Sequence, residues 1–403
     1  MKRFFGLLLI PSLCLASFGA DWAQFRGPGG ASYAPQVKLP TTWKEGENVA
    51  WKVPLPGRGP ASPIVVGKQV IVTCSAGPIQ DRLFVVSYDA ATGKQQWQRQ
   101  FWATGRTYSH PDSANAAPTP TSDGQRIYAF FSSNDLICLD LAGNLLWYRG
   151  LAYDYPKAGN DVGMSSSPVV VGDTVVVQVE NFGDSFAAGL DAATGETRWR
   201  LPRKASSNWA SPAVLKQPGG RELVLLQSAG ILTAHDPRTG DQVWQYEAPC
   251  QTIPSVVAVD GRVYIPTNGI TALDIGDSSA PQQAWHVDKL TASGASPMIA
   301  DGRVYTLNNV GVLVSVDAKT GKDLQQMRIG GRYWATPVIA GQHMYCIDQD
   351  GKARILKLAD GKAELVGEAE FGEKIQGSPA VADQALFVRS DKHLWKISSS
   401  AGK

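Results

Sequence analysis

The sequence lacks an excess of charge of either sign, and it lacks long hydrophobic runs. In 403 residues, Lys and Arg number 38 against 36 Asp and Glu, so the formal net charge is only +2. This balance gives no sign of a nucleic-acid or acidic-membrane surface. No segment approaches the ~18 to 20 apolar residues that a membrane-spanning helix needs. We therefore expect no nucleic-acid partner and no transmembrane span.

The first 20 residues have the pattern of a secretory signal peptide. A basic start precedes an apolar run over residues 4–15 and mostly small residues over 16–20. This order predicts cleavage near residues 16–20 and export to the periplasm or out of the cell. A lipoprotein would use Cys14, but Leu13 occupies the position where lipid-attachment signals have a small residue.

Cysteine and histidine are also scarce. The remaining cysteines, Cys74, Cys138, Cys250 and Cys346, are far apart in sequence, and three of them lie in strand-like runs. Export permits disulfides, but this distribution favours buried thiols. The 5 histidines show neither HxH nor HExxH spacing, so no zinc site is predicted. Gly-x-Ser-x-Gly, GxxxxGK[ST] and CxxCH motifs are missing as well.

What the chain has in quantity is an internal repeat. The string YDAATGKQQW at Tyr88 to Trp97 recurs as LDAATGETRW at Leu190 to Trp199, with looser copies elsewhere. Each copy follows a proline and two β-branched runs separated by a turn. The prolines are Pro63, Pro120, Pro168, Pro212, Pro254, Pro297, Pro337 and Pro379, mostly 40 to 48 residues apart. Four short strand-like runs per unit, without helical periodicity, predict an all-β, eight-bladed β-propeller of four-stranded blades.

The two ends of the repeat array are complementary. The eighth unit ends after three strands, whereas ENVAWKVPLPG at Glu47 to Gly57 resembles an outer strand and precedes the first unit. We infer that this N-terminal strand completes the last blade and closes the ring, which hides edge strands. The predicted organisation is a signal peptide over 1–20, an N-terminal arm over 21–46 and the propeller over 47–400.

The Asp-x-x-Thr-Gly element predicts a tight turn that is followed by a packing residue. Its Asp accepts backbone hydrogen bonds, and its Gly supplies a positive φ. The Trp four residues later falls in the outermost strand of six blades, with Gln325 and Leu365 in the other two. We interpret these tryptophans as contacts between blades rather than as a ligand cage.

These units, of the form SPxVxxGxxVxV…LDAxTGxxxW, resemble the pyrroloquinoline-quinone (PQQ)-type propeller repeat. Quinoprotein alcohol dehydrogenases share that repeat with the non-enzymatic propeller of the Bam outer-membrane assembly complex. Together with DWAQFRGPGG at Asp21 to Gly30, the likeness is to exported PQQ-binding-like propeller repeat proteins. It covers nearly all of Val49 to Ser398.

The resemblance leaves the chemistry open. Quinoprotein dehydrogenases typically have two adjacent cysteines over the cofactor and a Ca²⁺ site beside a catalytic Asp. Here no two cysteines are neighbours, and only Glu180 and Asn181 suggest a carboxylate and amide pair. We therefore predict no catalytic residue, no metal and no cofactor, with PQQ and Ca²⁺ as the alternative.

A ligand site in a propeller is expected at the mouth of the central channel. The residues three positions before each repeat proline include Trp209, Trp334, Gln251 and Gln376. With Arg58 and Arg332 they predict an amphipathic rim on which a sugar, quinone or peptide could stack, or a plug of the channel. A long insertion at Phe101 to Pro118 adds His110, Asn115 and Tyr108 as candidates, and a second insertion runs from Leu151 to Met164.

The sequence thus predicts a monomeric, exported scaffold that binds cell-envelope proteins or extended peptide chains, with room for a small ligand in the channel. The alternatives are a PQQ-dependent oxidoreductase or PQQ-binding protein and a carbohydrate-binding propeller.

Overall fold

A computed structural model describes residues 21–159, 162–276, 280–359 and 362–399. The predicted signal peptide lies outside these residues. The described chain forms eight antiparallel sheets of four strands each, one of which carries a fifth, parallel strand. The predicted eight-bladed propeller is confirmed.

Each of the first four blades uses four consecutive strands. Blade 1 contains β3 (Ile64–Val66), β4 (Gln69–Ala76), β5 (Arg82–Asp89) and β6 (Gln95–Trp102). Blade 2 contains β7 (Thr121–Ser122), β8 (Arg126–Phe130), β9 (Asp135–Asp140) and β10 (Leu145–Gly150), followed by helix α1 (Leu151–Asp154). Blade 3 contains β11 (Val169–Val171), β12 (Thr174–Val179), β13 (Phe186–Asp191) and β14 (Thr197–Pro202). Blade 4 contains β15 (Ala213–Lys216), β16 (Glu222–Ser228), β17 (Ile231–His235) and β18 (Gln242–Glu247).

The remaining blades follow the same order. Blade 5 contains β19 (Val257–Val259), β20 (Arg262–Thr267), β21 (Gly269–Asp274) and β22 (Gln282–Val287). Blade 6 contains β23 (Met298–Ala300), β24 (Arg303–Leu307), β25 (Val312–Asp317) and β26 (Asp323–Arg328). Blade 7 contains β27 (Val338–Ala340), β28 (His343–Ile347), β29 (Lys352–Ala359) and β30 (Lys362–Glu370). Blade 8 contains β31 (Ala380–Ala382), β32 (Ala385–Arg389) and β33 (His393–Ile397).

The ring closes through the N-terminal strand β2 (Val49–Pro54), which pairs antiparallel with β33 and completes blade 8. This closure is the one predicted from the sequence. The joint between the last and first blades is reinforced by Arg389, whose Nη1 donates to the carbonyl of Thr73 at 2.6 Å.

Burial along each blade follows from its neighbours. Every blade packs face to face between two others, so both faces of its inner strands are covered and β4 and β5 are buried along almost their whole length. The outer strands alternate between less and more exposed residues, as in β2, where Trp51 is buried between two exposed residues. The alternation of buried and exposed residues that is typical of a strand with one solvent-facing side is thus retained only at the rim of the disc.

The repeated tryptophans connect successive blades. The Nε1 of Trp147 donates to the carbonyl of Ala192 at 3.1 Å, and its ring lies against Gly195, where a Cβ would come within 2.7 Å of it. Trp51, Trp97, Trp199 and Trp285 make the same contact with the turn of the next blade. Gln325, which replaces Trp in blade 6, instead donates to and accepts from the backbone of Ala363 in blade 7.

The N-terminal arm crosses one face of the disc and covers the central axis. A 3-10 helix (Pro28–Gly30) lies near its middle, and β1 (Tyr33–Ala34) then pairs parallel with β27. Hydrogen bonds tie the arm to blades 1, 2, 5, 6, 7 and 8 through Trp22, Ala23, Arg26, Ala31, Ser32 and Lys38. The arm is therefore the floor of the propeller.

Cys74, Cys138, Cys250 and Cys346 are free and buried, as the sequence favoured. Among the described residues, no helix is long and apolar enough to span a membrane.

Candidate functional site

A cavity of about 410 Å³ lies on the propeller axis and opens on the face opposite the arm. All eight blades contribute to its wall through the residues that enter their innermost strands. A pocket of this size is within the range of small-ligand sites.

A ring of eight hydroxyl groups forms the wall of this cavity: Ser62, Thr119, Ser167, Ser211, Ser255, Ser296, Thr336 and Ser378. The backbone N–H of each of the first seven donates to the hydroxyl oxygen of the next at 2.9 or 3.0 Å. Because a hydroxyl that accepts one bond can still donate its own hydrogen, the ring presents hydrogen-bond donors to a ligand on the axis.

Phe25 of the arm closes the inner end of the cavity. It lines both the axial cavity and a second, smaller cavity beneath it. The cavity is therefore a blind pocket with one mouth.

The mouth carries four of the side chains that the sequence predicted. Trp209, Trp334, Gln376 and His110 all line the cavity. The Nε1 of Trp209 donates to the carbonyl of Gly163 at 2.8 Å, which fixes its ring. Trp334 packs on Gly294 and remains 47% exposed, so its ring offers a stacking surface.

Gln251 does not line the axial cavity. Its Nε2 donates to the carbonyl of Thr267 at 3.0 Å, and the blade 5 residue at the mouth is Ile253. In this blade Ser255 follows Pro254, whereas in the others the Ser or Thr precedes the proline. The candidate residues are those that lie three positions before the proline of each unit. In blade 5 this count therefore gives a residue two positions away from the one that lines the mouth.

Arg58, Arg332 and Asn115 also lie off the cavity wall and hold loops in place. The Nη2 of Arg58 donates to the carbonyl of Pro111 at 2.8 Å, and that of Arg332 donates to Gln349 Oε1 at 3.2 Å. Asn115 is fully buried, and its Oδ1 accepts the backbone N–H of Ser133 at 2.8 Å.

The charges around the mouth are few. Among the lining residues of the described chain, only His110 and Asp112 are ionisable. Lys374 lies 2.5 Å from Asp112 and holds the pKa of that carboxyl below its ordinary value, mainly through a direct hydrogen bond. The described wall is therefore polar but nearly uncharged.

This wall does not fit PQQ with Ca²⁺. The carboxylates of the quinone need cations, and the described wall supplies hydroxyls and aromatic rings instead. Among the described residues, no group of three His, Cys, Asp or Glu lies together as a metal site would require. Glu180 is fully buried and accepts hydrogen bonds from Gln178, Arg203, Ser228 and Asn208, so its oxygens are engaged in a network within the protein.

Beside the mouth, three segments form a raised surface over blades 2 and 3, which we name the loop platform: residues 102–118, 151–159 with 162–164, and 181–185. The N–H of His110 donates to the carbonyl of Val162 at 3.1 Å, and that of Lys157 donates to Asp184 Oδ2 at 2.9 Å. Buried Asp135 anchors the first segment by accepting the hydroxyl of Thr104 at 2.5 Å.

The loop platform concentrates exposed aromatic side chains. Trp102, Tyr108, Tyr153 and Phe182 are 61%, 58%, 77% and 80% exposed. Among the described residues, Trp334 at the cavity mouth is the one other aromatic residue that is prominently exposed. The prominently exposed aromatic side chains of the described chain thus lie on the platform and at the cavity mouth.

The sequence analysis named Tyr108 of the platform but missed the hydroxyl ring, Phe25 and the other platform aromatics. The Ser or Thr before seven of the eight prolines was the available signal for the ring. No sequence pattern indicated that the arm would cross the axis.

The chain matches the family model of outer membrane protein assembly factor BamB over residues 41–162, 157–280 and 267–366. It is 23% identical to BamB of Yersinia pestis over 75% of this chain and 66% of that protein. It is also 29% identical to the serine/threonine-protein kinase AfsK of Streptomyces griseus, over 38% of this chain but only 20% of that protein. The chain therefore spans less than two thirds of the length of these relatives.

Solved structures share the fold. BamB from Moraxella catarrhalis superposes with a TM-score of 0.65 at 18% identity, covering 88% of this chain and 98% of that one. Quinohemoprotein alcohol dehydrogenase from Comamonas testosteroni gives 0.68 at 13% identity, covering 95% and 81%. At these identities the likeness is one of fold, which many functions share.

Proposed function

The chain belongs to the family of outer membrane protein assembly factor BamB, and from this premise we propose that it is a non-enzymatic, exported scaffold that binds proteins of the cell envelope. Its partners would be envelope proteins or extended chains that take part in outer-membrane protein assembly. The proposal applies to this chain the role that the name of its family states, which is outer-membrane protein assembly.

The observation that carries this proposal is the loop platform. Four aromatic side chains that are more than half exposed lie on the loop platform, which a rigid, closed ring supports. Tyr, Trp and Phe are enriched in protein interfaces and dominate their energetics. Exposed aromatics on hydrogen-bonded loops therefore favour a partner protein over solvent as their normal environment.

The test is a triple variant, Trp102→Ala, Tyr153→Ala and Phe182→Ala, compared with the wild type in cross-linked pull-downs from envelope fractions. We expect recovery of envelope partners to fall at least ~10-fold, because hot-spot residues contribute more than ~1 kcal/mol each. The matched control replaces Val243, Leu324 and Leu365, which are 38% to 49% exposed on outer strands. Equal recovery by both variants would overturn the proposal.

A second candidate function is the binding of an uncharged, hydroxyl-rich ligand such as a sugar in the axial cavity. The hydroxyl ring with Trp209 and Trp334 at the mouth supports it, because aromatic rings stack on sugars and hydroxyls exchange hydrogen bonds with them. A PQQ-dependent oxidoreductase has weaker support, because of the poor fit described above. Titration with glycans, and with PQQ in the presence and absence of Ca²⁺, separates these functions by tryptophan fluorescence and Tm; Trp334→Ala should abolish a genuine sugar response.

A further inference from the structure

The N-terminal arm contains a deeply buried cation, Arg26. Its side chain is only 3% exposed, and its backbone has a φ of 63°, in the left-handed region that non-glycine residues seldom adopt. Strained backbone of this kind persists where the surrounding structure requires it. The chain therefore holds this guanidinium under the axis at some cost in free energy.

Arg26 has few compensating contacts. Its Nη2 donates to the carbonyl of Val256 at 3.0 Å, and its Cζ lies 5.2 Å from the centroid of the Phe25 ring. Its Nε and Nη1 are buried and donate to no other described residue. Burial lowers the pKa of Arg26 to about 9, so the group is still charged at neutral pH.

Two other arginines with largely buried side chains in the described part of the chain, Arg203 and Arg389, donate from Nε and from both Nη atoms. Arg389, 1% exposed, donates from Nε and Nη1 to two carbonyls and from Nη2 to the sulfur of Cys74. Arg203 pairs with the Glu180 carboxylate at 2.9 Å. Arg26 therefore differs from these two arginines, because two of its nitrogen atoms have no acceptor among the described residues.

A small cavity of about 20 Å³ adjoins Arg26 and is also lined by Gly29, Gly30, Ser167 and Ser211. This volume exceeds the ~10–15 Å³ that one water molecule requires, so the cavity has room for a single small species. The Ser167 and Ser211 hydroxyls each accept a backbone N–H from a neighbouring blade, and each can still donate its hydrogen.

We propose that this cavity binds one monovalent anion of chloride size, held by Nε and Nη1 of Arg26. A water molecule could satisfy an N–H group, but it would leave the buried charge uncompensated, which is the costly part of burying an ion. The bound anion would neutralise Arg26 and fix the arm beneath the channel.

The first test is the Tm of the full chain at constant ionic strength in sodium gluconate, chloride or bromide, since gluconate is too large for the cavity. We expect 100 mM chloride or bromide to raise Tm by roughly 1–4 °C, because an anion that binds only the folded state stabilises it. Arg26→Gln should abolish this difference. Arg238→Gln, which removes an exposed arginine on a turn, is the matched control for charge and should keep it.

The second test is independent of any variant. Anomalous diffraction from a wild-type crystal grown or soaked in bromide should show a peak within hydrogen-bond distance of Arg26 Nη1. Absence of that peak together with a halide-independent Tm would overturn the proposal. So would an unchanged halide response in a folded Arg26→Gln variant.

Discussion

At the scale of single residues, each joint between blades depends on a pair formed by a large and a small residue. Trp199 of blade 3 lies against Gly240 of blade 4, where a Cβ would come within 2.8 Å of its ring, and its Nε1 donates to the carbonyl of Pro237 at 2.8 Å. This position thus requires glycine for two reasons: its φ is 78°, and the neighbouring indole leaves no room for a side chain. The Trp of one blade and the turn Gly of the next blade thus form a single contact between the two blades.

Trp199→Ala should destabilise the protein by roughly 3 to 5 kcal/mol, because it removes a buried ring and leaves a cavity. Chemical denaturation with ligand-binding assays alongside would measure this, and binding should be unchanged. Trp102→Ala removes a ring that is 61% exposed and should change stability by less than ~0.5 kcal/mol. Similar losses for both variants would remove the packing role of Trp199.

At the scale of the element, the Asp-x-x-Thr-Gly turn is held together by its own carboxylate. In blade 6, Asp317 Oδ1 accepts the hydroxyl and the backbone N–H of Thr320, both at 2.7 Å. These hydrogen bonds hold the pKa of Asp317 below its ordinary value. Asp89 and Asp191 make equivalent turns, and the pKa of each is lowered too.

These carboxylates should make the propeller sensitive to acid. Since the folded pKa is lowered, the stabilisation is complete above the unfolded pKa of about 4 and is lost as the pH falls through the lower folded value. Asp317→Asn should therefore lower Tm at pH 7 and reduce the fall in Tm between pH 5 and pH 3. The control is Glu196→Gln, at an exposed position after a turn glycine, which should keep the dependence of Tm on pH seen in the wild type. If Asp317→Asn also kept that dependence, the Asp317 carboxylate would not be a source of the acid sensitivity.

At the scale of the whole molecule, two features hold the ring together. Strand β2 completes the last blade, and the N-terminal arm crosses one face of the disc and forms its floor. The arm turns at Gly27, whose φ is 69° and whose Cβ position is 2.5 Å from the Trp22 ring. Trp22 in turn is only 1% exposed and is paired through its backbone with Val65 of blade 1. The blind shape of the axial cavity therefore depends on this one turn.

Gly27→Ala should release the arm, because its methyl group would overlap the Trp22 ring. Hydrogen exchange by mass spectrometry should show amides of residues 22–34 exchanging at least ~10-fold faster, with the blades unchanged. Gly29→Ala is the control, since Gly29 has a similar φ of 62° but nothing within 4 Å of its Cβ position. Equal exchange in both variants would mean that backbone strain alone, and not the contact with Trp22, holds the arm.

The candidate site could be predicted only in part. Trp209, Trp334, Gln376 and His110 reach the cavity mouth because the repeat fixes the residue that enters each inner strand. Gln251 does not reach the cavity mouth, because in blade 5 the proline precedes Ser255, whereas in the other blades it follows the Ser or Thr. Arg58 and Asn115 looked like site residues, but which loop a polar side chain supports is decided by contacts distant in sequence.

The sequence by itself determined the fold, because the period of the repeat, the turn residues and the incomplete last unit are all local patterns that admit one closed arrangement. It also determined that inner strands are buried and that outer strands carry the joints between blades. Only the tertiary structure decided what lies on the axis. The hydroxyl ring, the floor formed by Phe25 and the isolated charge of Arg26 arise where residues from several blades and the arm converge, and no local pattern encodes such a convergence.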